Sequence, residues 1–214
     1  RFISIEEFND NKNKELFIGE SISDQSLDIS NVNNKDNFKL VKLYDDPQIV
    51  LIDNFLSQEE CEHIIKIGDP LVKQSEVCGR GGSRPDKSRT SWTAHIGKQF
   101  INKNKKDPIL MDIYERAARF GNKSVKNIEP IQLVRYKPGQ YFKSHYDYLD
   151  TKMPIYKDNV AKNGQREITF FVYLNDVPDG AGGETQFTKL NKVFKAKKGQ
   201  AIFWHNVKNG KVDK

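Results

Sequence analysis

The chain has 214 residues, of which 36% are hydrophobic and 30% charged, and its formal net charge is +6. This length suffices for one large domain, or for a domain with an appendage. No apolar stretch approaches the length that crosses a bilayer, so no transmembrane helix is predicted. Cys61 and Cys78 lack C-x-x-C spacing, which excludes a disulfide framework and a cysteine metal site. We expect one buried thiol and one loop thiol; a single bridge between them is the alternative.

The charge is unevenly distributed along the chain. Residues 1–40 carry five basic and eight acidic side chains, whereas residues 41–214 carry thirty and twenty-one. Residues 9–37 are rich in Asn, Asp, Lys and Ser and show no hydrophobic period, which is typical of poorly ordered segments. We therefore predict a polar, acidic leader over residues 1–43, partly disordered or loosely docked, and a basic folded domain over residues 44–214. A basic domain attracts nucleic acid, a small dicarboxylate or an acidic protein, so the charge alone does not decide the ligand.

The first part of the domain is predicted to alternate between strand and helix. Gln48–Phe55 is rich in branched apolar residues, which favours a strand. Ser57 and Glu60 form a capping box that begins a helix, and this helix ends before Pro70. Its apolar face consists of Cys61, Ile64, Ile65 and Gly68. Leu71–Val77 predicts a second strand.

A long connection, Cys78–Lys106, separates these elements from the next helix. Near its start it has Gly79, Gly81 and Gly82, and it contains the densest basic stretch of the chain, Arg80–Lys106. Long loops in compact domains are usually lids or binding loops when they are not disordered, and we interpret this one as a lid. Asp107 and Pro108 begin the following helix, and Gly121 ends it.

From Pro130 onward the pattern is that of short strands. Glu167–Leu174 is apolar on both faces, which predicts a central, buried strand. The other predicted strands are Ile131–Tyr136, the segment carrying His145, Glu184–Thr188 and Gln200–His205. Short strands after a helical region predict an α+β fold that is mainly β. We expect a double-stranded β-helix, or jelly roll, with supporting N-terminal helices.

His145 and Asp147 form the most informative motif of the chain. Side chains two residues apart on an extended segment point to the same side. One imidazole nitrogen and one carboxylate oxygen are two-thirds of the 2-His-1-carboxylate set, which holds non-haem Fe(II) with positions open for O2 and a co-substrate. The triplet alone is weak, and an ordinary surface strand is the alternative interpretation.

Ordered sequence blocks surround this motif from Pro47 to the end of the chain. They are I-D-N-F-L-S-Q-E-E-C, S-R-T-S, E-P-I-Q-L-V-R-Y-K-P-G-Q-Y-F-K-S-H-Y-D, Q-R-E-I-T-F-F-V-Y-L-N-D-V, G-G-E-T-Q-F and K-K-G-Q-A-I-F-W. In this order they resemble the catalytic domain of the prolyl 4-hydroxylase family of Fe(II)/2-oxoglutarate dioxygenases. The resemblance implies that family's reaction, the hydroxylation of peptidyl proline at C4 with release of succinate and CO2.

The resemblance also implies roles for individual residues. The family's metal dyad falls on His145 and Asp147, and the tyrosine and threonine that contact 2-oxoglutarate fall on Tyr136 and Thr185. The positions associated with peptide binding and with the loop that closes over the peptide are Arg166, Glu129, Arg89 and Ser91. Trp92, next to this loop motif, is a candidate face for proline rings.

Each of these residues also has an ordinary structural interpretation. Tyr136 fits a core position of a strand, and Thr185 fits a turn after two glycines. Arg166 fits a solvated strand end, and Trp92 a loop anchor. One aromatic substrate contact of the family corresponds to Phe142, so its hydroxyl is missing here.

The resemblance places a second histidine ligand, followed by a lysine for 2-oxoglutarate, just beyond Lys214. His205 is the alternative third ligand, although it corresponds to a strand end where the family has none. The implied cofactors are Fe(II), 2-oxoglutarate and ascorbate, and the implied partners are O2 and a proline-rich or collagen-like peptide or protein. The alternatives are an oxygenase acting on another protein side chain or on nucleic-acid bases, and a catalytically dead jelly-roll binding module. The compartment stays open between the endoplasmic reticulum lumen and the cytoplasm of a eukaryotic or virus-infected cell.

Overall fold

The computed structural model of the chain describes residues 3–5, 38–45, 47–79, 82–97, 107–208 and 211–212. These ranges contain the helices α1 (Gln58–Gly68), α2 (Pro108–Phe120) and α3 (Pro154–Asn163). Their strands are β1 (Ile3–Ile5), β2 (Lys39–Asp45), β3 (Gln48–Asp53), β4 (Lys73–Gln74), β5 (Val77–Gly79), β6 (Gly82–Arg84), β7 (Trp92–Ile96), β8 (Ile131–Arg135), β9 (Phe142–His145), β10 (Ile168–Val172), β11 (Thr185–Phe187), β12 (Lys192–Phe194), β13 (Ala201–His205), β14 (Val207–Lys208) and β15 (Lys211–Val212). None of the helices in the described ranges is long and apolar enough to cross a membrane.

Two four-stranded antiparallel sheets form the framework of the fold. The first, which we call the site sheet, has the strand order β12-β11-β1-β9. The second, which we call the core sheet, has the order β10-β13-β3-β2. A smaller sheet joins β4, β7 and β8, and two hairpins pair β5 with β6 and β14 with β15. The described chain is therefore rich in sheet, with three helices.

The site sheet and the core sheet pack face to face. Phe187 of β11 and Trp204 of β13 are each 1% exposed, and their rings meet edge-on with centroids 5.1 Å apart. Tyr173, just after β10, donates a hydrogen bond of 2.7 Å to Thr185 of β11. A second cluster of buried apolar residues lies around α1 and α2 and includes Phe203 of β13. The core sheet is thus covered on both faces.

Helix α1 begins as the sequence predicts. The Ser57 hydroxyl accepts from the backbone N–H of Glu60, and the Glu60 carboxylate accepts from the backbone N–H of Ser57. At the other end of the helix, a Cβ on Gly68 would lie 2.5 Å from Cδ2 of Leu133 in β8. Glycine at this position therefore lets α1 pack closely against the smaller sheet.

Helix α2 and the thiol of Cys61 also follow the predictions. Asp107 caps α2 by accepting from a first-turn backbone N–H, Pro108 is the first helical residue, and Gly121 follows the last. Cys61 is buried, Cys78 is half-buried, and both thiols are free. The expectation of one buried thiol is confirmed, whereas Cys78 lies in strand β5 and not in a loop.

The predicted position of one strand is wrong. Glu167–Leu174 was expected at the centre of a sheet, but β10 lies at the edge of the core sheet that the described residues form, and β13 is internal. The apolar side chains of β10 pack against other elements on both faces of the strand. Phe170, for example, packs on Phe120 of α2 with ring centroids 6.1 Å apart. Apolar residues on both faces of a strand therefore indicate that both faces are packed against other elements. They do not indicate that the strand has a neighbouring strand at each edge.

Further segments differ from the prediction. The predicted connection Cys78–Lys106 contains the strands β6 and β7. Leu71–Val77 is not one strand: a 3₁₀ turn over Asp69–Leu71 precedes β4, and β5 begins only at Val77. Helix α3 was not predicted. None of the residues of α3 is buried, so the helix does not need the apolar stripe by which a helix is recognised in a sequence.

The predicted leader contributes two strands. Strand β1 lies between β9 and β11 in the site sheet, and β2 crosses the predicted boundary at residue 43 and pairs with β3. The rest of the leader, residues 1–2 and 6–37, lies outside the described residues, as do residues 80–81 and 98–106 of the predicted lid. The domain boundary stays a prediction.

Candidate metal centre and its surroundings

The candidate metal centre lies at the end of strand β9. His145 is the last residue of this strand, and Asp147 lies in the bend that follows. Nε2 of His145 is 3.3 Å from Oδ1 of Asp147, and the two side chains are 26% and 22% exposed. The structure thus brings together the two residues of the motif, although only the first belongs to the strand.

The orientation of the His145 ring is fixed by a hydrogen bond of its other nitrogen, Nδ1. Its Nδ1 lies 2.8 Å from the backbone carbonyl oxygen of Lys143. Because a carbonyl oxygen only accepts, Nδ1 carries a proton, and Nε2 is the nitrogen that faces Asp147. Metal-binding histidines commonly hold their second nitrogen in this way. Nε2 is therefore the nitrogen that is available to a cation beside Oδ1 of Asp147.

The donor set fits a divalent iron ion. Two ligands at right angles, each about 2.1 Å from one ion, lie about 3.0 Å apart, and the observed separation of Nε2 and Oδ1 is 3.3 Å. A neutral imidazole and a carboxylate are the ligand types of non-haem Fe(II) sites. In the described part of the chain, no group of three or more His, Cys, Asp or Glu residues comes together. The described residues therefore offer two protein ligands.

His205 does not complete this centre. It lies opposite Ile168 in the core sheet, and its ring packs edge-on against Phe203 at 5.1 Å. Thr169, the neighbour of Ile168, points to the other face, where its hydroxyl contacts Asp147. Because strand side chains alternate between faces, His205 is directed away from the metal pair.

Phe142 contacts the predicted metal ligand itself. Its ring stacks on that of His145 with a centroid separation of 3.7 Å and an interplanar angle of 16°. The guanidinium of Arg89 lies 4.7 Å from the centre of the Phe142 ring. A regular strand would place residues 142 and 145 on opposite faces, but the register between β1 and β9 shifts here. This irregularity allows the two rings to meet.

Thr169 is a site residue that the sequence analysis missed. Its hydroxyl donates a hydrogen bond of 2.6 Å to Oδ2 of Asp147, the oxygen that does not face His145. Burial acts to raise the pKa of Asp147, but His145, Thr169 and the charge of Arg166 outweigh it, and this pKa lies below its ordinary value. Asp147 is therefore an ionised ligand at neutral pH. The signal in the sequence was one hydroxyl within the apolar run of β10.

Thr185 lies on the site sheet, two strands from β9. Ile5 of β1 pairs with Thr185 on one side and with Phe142 of β9 on the other. Thr185 and Phe142 are therefore two strand spacings apart, roughly 10 Å. The Thr185 side chain is fully buried and accepts the hydrogen bond from Tyr173. Burial raises the pKa of Tyr173, which keeps its hydroxyl protonated and able to donate. Thr185 thus faces the space between the two sheets.

Tyr136, Ser91 and Arg89 form a neighbouring group. Burial raises the pKa of Tyr136 to about 12, although the charge of Arg89 and a hydrogen bond with Ser91 act in the opposite direction. Burial also lowers the pKa of Arg89, against the influence of Tyr136 and Asp147. This group connects the predicted 2-oxoglutarate residue Tyr136 with the loop residues. Trp92 lies one residue beyond Ser91, in β7, opposite Arg135 of β8.

Arg166 and Glu129, both predicted to contact substrate, bind each other. Nε and Nη2 of Arg166 donate to the two carboxylate oxygens of Glu129 over 2.6 and 2.9 Å. Burial acts to lower the pKa of Arg166, but Glu129, Asp147 and Tyr156 outweigh it and raise that pKa. The pair is 42% and 56% exposed, so it remains accessible to a ligand near Asp147.

Comparison with known proteins identifies relatives of the chain. The family model of the 2OG-Fe(II) oxygenase superfamily matches residues 131–211. Prolyl 4-hydroxylase 5 of Arabidopsis thaliana is 34% identical over 165 residues, which cover 75% of this chain and 50% of that protein. Prolyl 4-hydroxylase 1 of the same plant is 33% identical over 186 residues, which cover 78% of this chain and 61% of that protein. The viral collagen prolyl hydroxylase of Paramecium bursaria Chlorella virus 1, crystallised as a 2OG complex, has a TM-score of 0.54 and 29% identity, covering 77% of this chain and 82% of that one.

The matched region contains both members of the metal pair, and it defines the class as a 2OG-Fe(II) oxygenase. The relatives are more specific, and the chain belongs to the prolyl 4-hydroxylase family. The family assignment from the ordered sequence blocks is confirmed. The chain spans 50% and 61% of the length of the two plant relatives.

Proposed function

We propose that this chain is a dioxygenase that uses Fe(II) and 2-oxoglutarate to hydroxylate peptidyl proline at C4 in proline-rich or collagen-like sequences, with release of succinate and CO2. The observation that carries this proposal is the convergence of Nε2 of His145 and Oδ1 of Asp147 at 3.3 Å, with Nδ1 of the imidazole bound to a carbonyl. The two donors are of the types that hold non-haem Fe(II) and leave positions open.

The two large sheets suit this role. We propose that they are the halves of a jelly roll, with the metal pair at the rim of the space between them. Contacts between the sheets, such as Phe187 on Trp204, exclude water from the interior below the pair. Dry walls around the centre protect a reaction that oxidises an unactivated C–H bond.

His145 and Asp147 would hold the iron, which when bound supplies the oxidising chemistry that protein side chains lack. The residues of the chain do the remaining work. The carbonyl of Lys143 fixes the imidazole, and the Thr169 hydroxyl fixes the carboxylate. Ascorbate is the expected additional cofactor.

We assign 2-oxoglutarate to the space bordered by Tyr136 and Thr185. Both residues carry a hydroxyl that can donate to a ligand. The hydroxyl of Tyr136 stays protonated at neutral pH, because the pKa of this residue is raised to about 12. Arg89, adjacent to Tyr136, adds positive charge that favours a dicarboxylate. The hydrogen bond from Tyr173 occupies one acceptor position of Thr185, so the threonine proton is available to a ligand oxygen.

The peptide would lie across the exposed side of the centre, along Arg166 and Glu129. A polyproline II segment has no internal hydrogen bonds, so its carbonyl groups are free to accept. Arg166 is held in a fixed plane by the bidentate pair with Glu129, which prepares its remaining N–H groups for such acceptors. Arg89 is stabilised near the same centre through Phe142.

The test is turnover of the full-length protein with Fe(II), 2-oxoglutarate, ascorbate and proline-rich peptides. We expect succinate formation and a gain of one oxygen on proline by mass spectrometry. His145→Ala and Asp147→Ala should each abolish turnover, because the ion loses one of its ligands. His95→Ala is the matched control, since His95 is an exposed histidine of β7 and should leave turnover unchanged.

A second arm uses methylated oligonucleotides under the same conditions, because the net charge of +6 also suits a polyanion. Demethylation of the oligonucleotide with an untouched peptide would refute the proposal. Near-normal succinate formation in His145→Ala would show that the metal pair is wrongly assigned. Arg166→Ala should raise the peptide KM while leaving the 2-oxoglutarate KM nearly unchanged.

A further inference from the structure

A chain of hydrogen-bonded side chains runs from the buried strand β13 to the Asp147 carboxylate. We propose that Thr169, Asn206 and Trp204 are positioning residues for the metal ligand Asp147, and that they hold its Oδ2 so that only Oδ1 is presented to the ion. We call this chain of three residues the relay. The inference rests on the proposed function, in which His145 and Asp147 bind the metal.

The direction of every hydrogen bond in the relay is determined. The indole Nε1–H of Trp204 can only donate, and it lies 3.1 Å from Oδ1 of Asn206. This contact fixes the amide of Asn206, whose Nδ2 then donates to the Thr169 hydroxyl oxygen over 2.9 Å. With its oxygen accepting from Asn206, Thr169 has its single proton left for Oδ2 of Asp147, at 2.6 Å. The relay therefore ends in a donor directed at the carboxylate.

The relay is anchored in the buried interior between the two large sheets. Trp204 and Asn206 are 1% and 4% exposed, and the indole packs edge-on against Phe187. The backbone N–H of Asn206 donates to the carbonyl oxygen of Glu167 over 2.7 Å, which ties the residue to the strand that carries Thr169. Thr169 and Trp204 are also direct partners in the ladder between β10 and β13. The position of the Thr169 hydroxyl is thus set by the core sheet.

A fixed Oδ2 has a consequence for the ion. A carboxylate with two free oxygens can bind a metal through both and so occupy two coordination positions. Because Thr169 engages Oδ2, Asp147 is restricted to one oxygen, Oδ1, the atom that faces His145. The position that a second oxygen would take stays open for co-substrate. Outer hydrogen bonds of this kind commonly change metal affinity by about 10- to 100-fold when removed.

The decisive variant is Thr169→Val, which keeps the size and branching of the side chain but removes the hydroxyl. We measure Zn(II) affinity of the whole chain by calorimetry, with His145→Ala as the blank for binding elsewhere. We expect Thr169→Val to lower the His145-dependent affinity by about 10- to 100-fold. Thr169→Ser keeps a donor and should restore most of it. Thermal unfolding without metal separates this effect from a loss of fold.

A second readout follows the relay directly. The chain contains two tryptophans, Trp92 and Trp204, so a spectrum of ¹⁵N-labelled indoles has two signals, and Trp92→Phe assigns them. We expect Zn(II) to shift the Trp204 signal in the unsubstituted chain and in Thr169→Ser. In Thr169→Val the shift should disappear, because the connection to Asp147 is cut. A role in packing alone does not produce this pattern.

Asn206→Asp provides an independent variant with nearly the same shape. It still accepts from Trp204 but has no proton for Thr169, whose hydroxyl then turns toward residue 206. The added negative charge by itself would strengthen cation binding, so weaker Zn(II) binding in a variant with unchanged thermal unfolding is the effect of the lost support of Asp147. Weaker Zn(II) binding in Asn206→Asp supports the relay, and unchanged or tighter binding in Thr169→Val, which adds no charge, overturns it. If the unsubstituted chain and His145→Ala bind Zn(II) equally, the metal assignment of the proposed function fails instead.

Discussion

Gly199 is expected to be the most sensitive glycine of the described fold. It lies in the turn before β13 with a φ of +77°, and a Cβ at this position would be 2.3 Å from the backbone carbonyl oxygen of Leu56. Its N–H donates to the carbonyl of Tyr173, and its carbonyl accepts from the N–H of Leu56. Gly199→Ala must therefore move the backbone, because no flexible side chain can give way.

The cost follows from two contributions. A side chain in the left-handed region costs about 1–2 kcal/mol. Disrupting one of the two buried backbone hydrogen bonds adds about 1–3 kcal/mol. We therefore expect Gly199→Ala to lower the free energy of unfolding by about 2–5 kcal/mol. For a domain of this size, that corresponds to a Tm lower by about 5–15 °C.

Gly139→Ala is the matched control. Gly139 has a φ of +80°, but nothing lies within 4 Å of the position that its Cβ would take. The control should lose only the conformational contribution of about 1–2 kcal/mol. Urea unfolding of both variants, with the slope compared to that of the unsubstituted chain, gives the two free energies. Equal losses at Gly199 and Gly139 would refute the argument that the close approach to Leu56 matters.

Two further predictions concern tyrosines. The pKa of Tyr136 is about 12 against an ordinary value of 10.0, so its contribution to stability is intact below pH 10 and is lost as the pH rises toward 12. Tyr136→Phe should therefore make the fall of the urea midpoint between about pH 10 and 12 shallower, and an unchanged fall would contradict the assignment. Tyr173→Phe removes the hydrogen bond to Thr185 and should raise the 2-oxoglutarate KM by roughly 2- to 10-fold, whereas a change confined to the peptide KM would place Thr185 at a different ligand.

Local chemistry explains the parts of the fold that the sequence predicts. The capping box of Ser57 and Glu60 and the cap at Asp107 are satisfied by atoms within four residues, so they can be read from adjacent positions. The same holds for His145 and Asp147, whose spacing of two is enough to bring their side chains together. The ordered blocks around this pair then carried the family assignment.

Long-range pairing explains what the sequence did not reveal. The place of β1 between β9 and β11 joins residues about 140 positions apart, and no local pattern encodes it. The role of Thr169 depends on Asp147 and Asn206, which lie 22 and 37 positions away. A hydroxyl in an apolar strand signals that a partner is needed, but the identity of the partner is set only when the two sheets pack. Helix α3 buries none of its residues, so it carries no periodic signal at all.

Two of the positive charges of the domain, those of Arg89 and Arg166, lie at the site and are held in defined contacts. Arg89 donates to the Thr93 hydroxyl and to the Glu76 carbonyl while it lies over the Phe142 ring, and Arg166 is held by Glu129. Both guanidinium groups influence Asp147, yet both are engaged in fixed local contacts, unlike the solvated side chains that track a phosphate backbone. Oriented charges of this kind favour a small anion and peptide carbonyl groups over a long polyanion. The net charge therefore left the ligand open, whereas the contacts of these two arginines favour 2-oxoglutarate and a peptide.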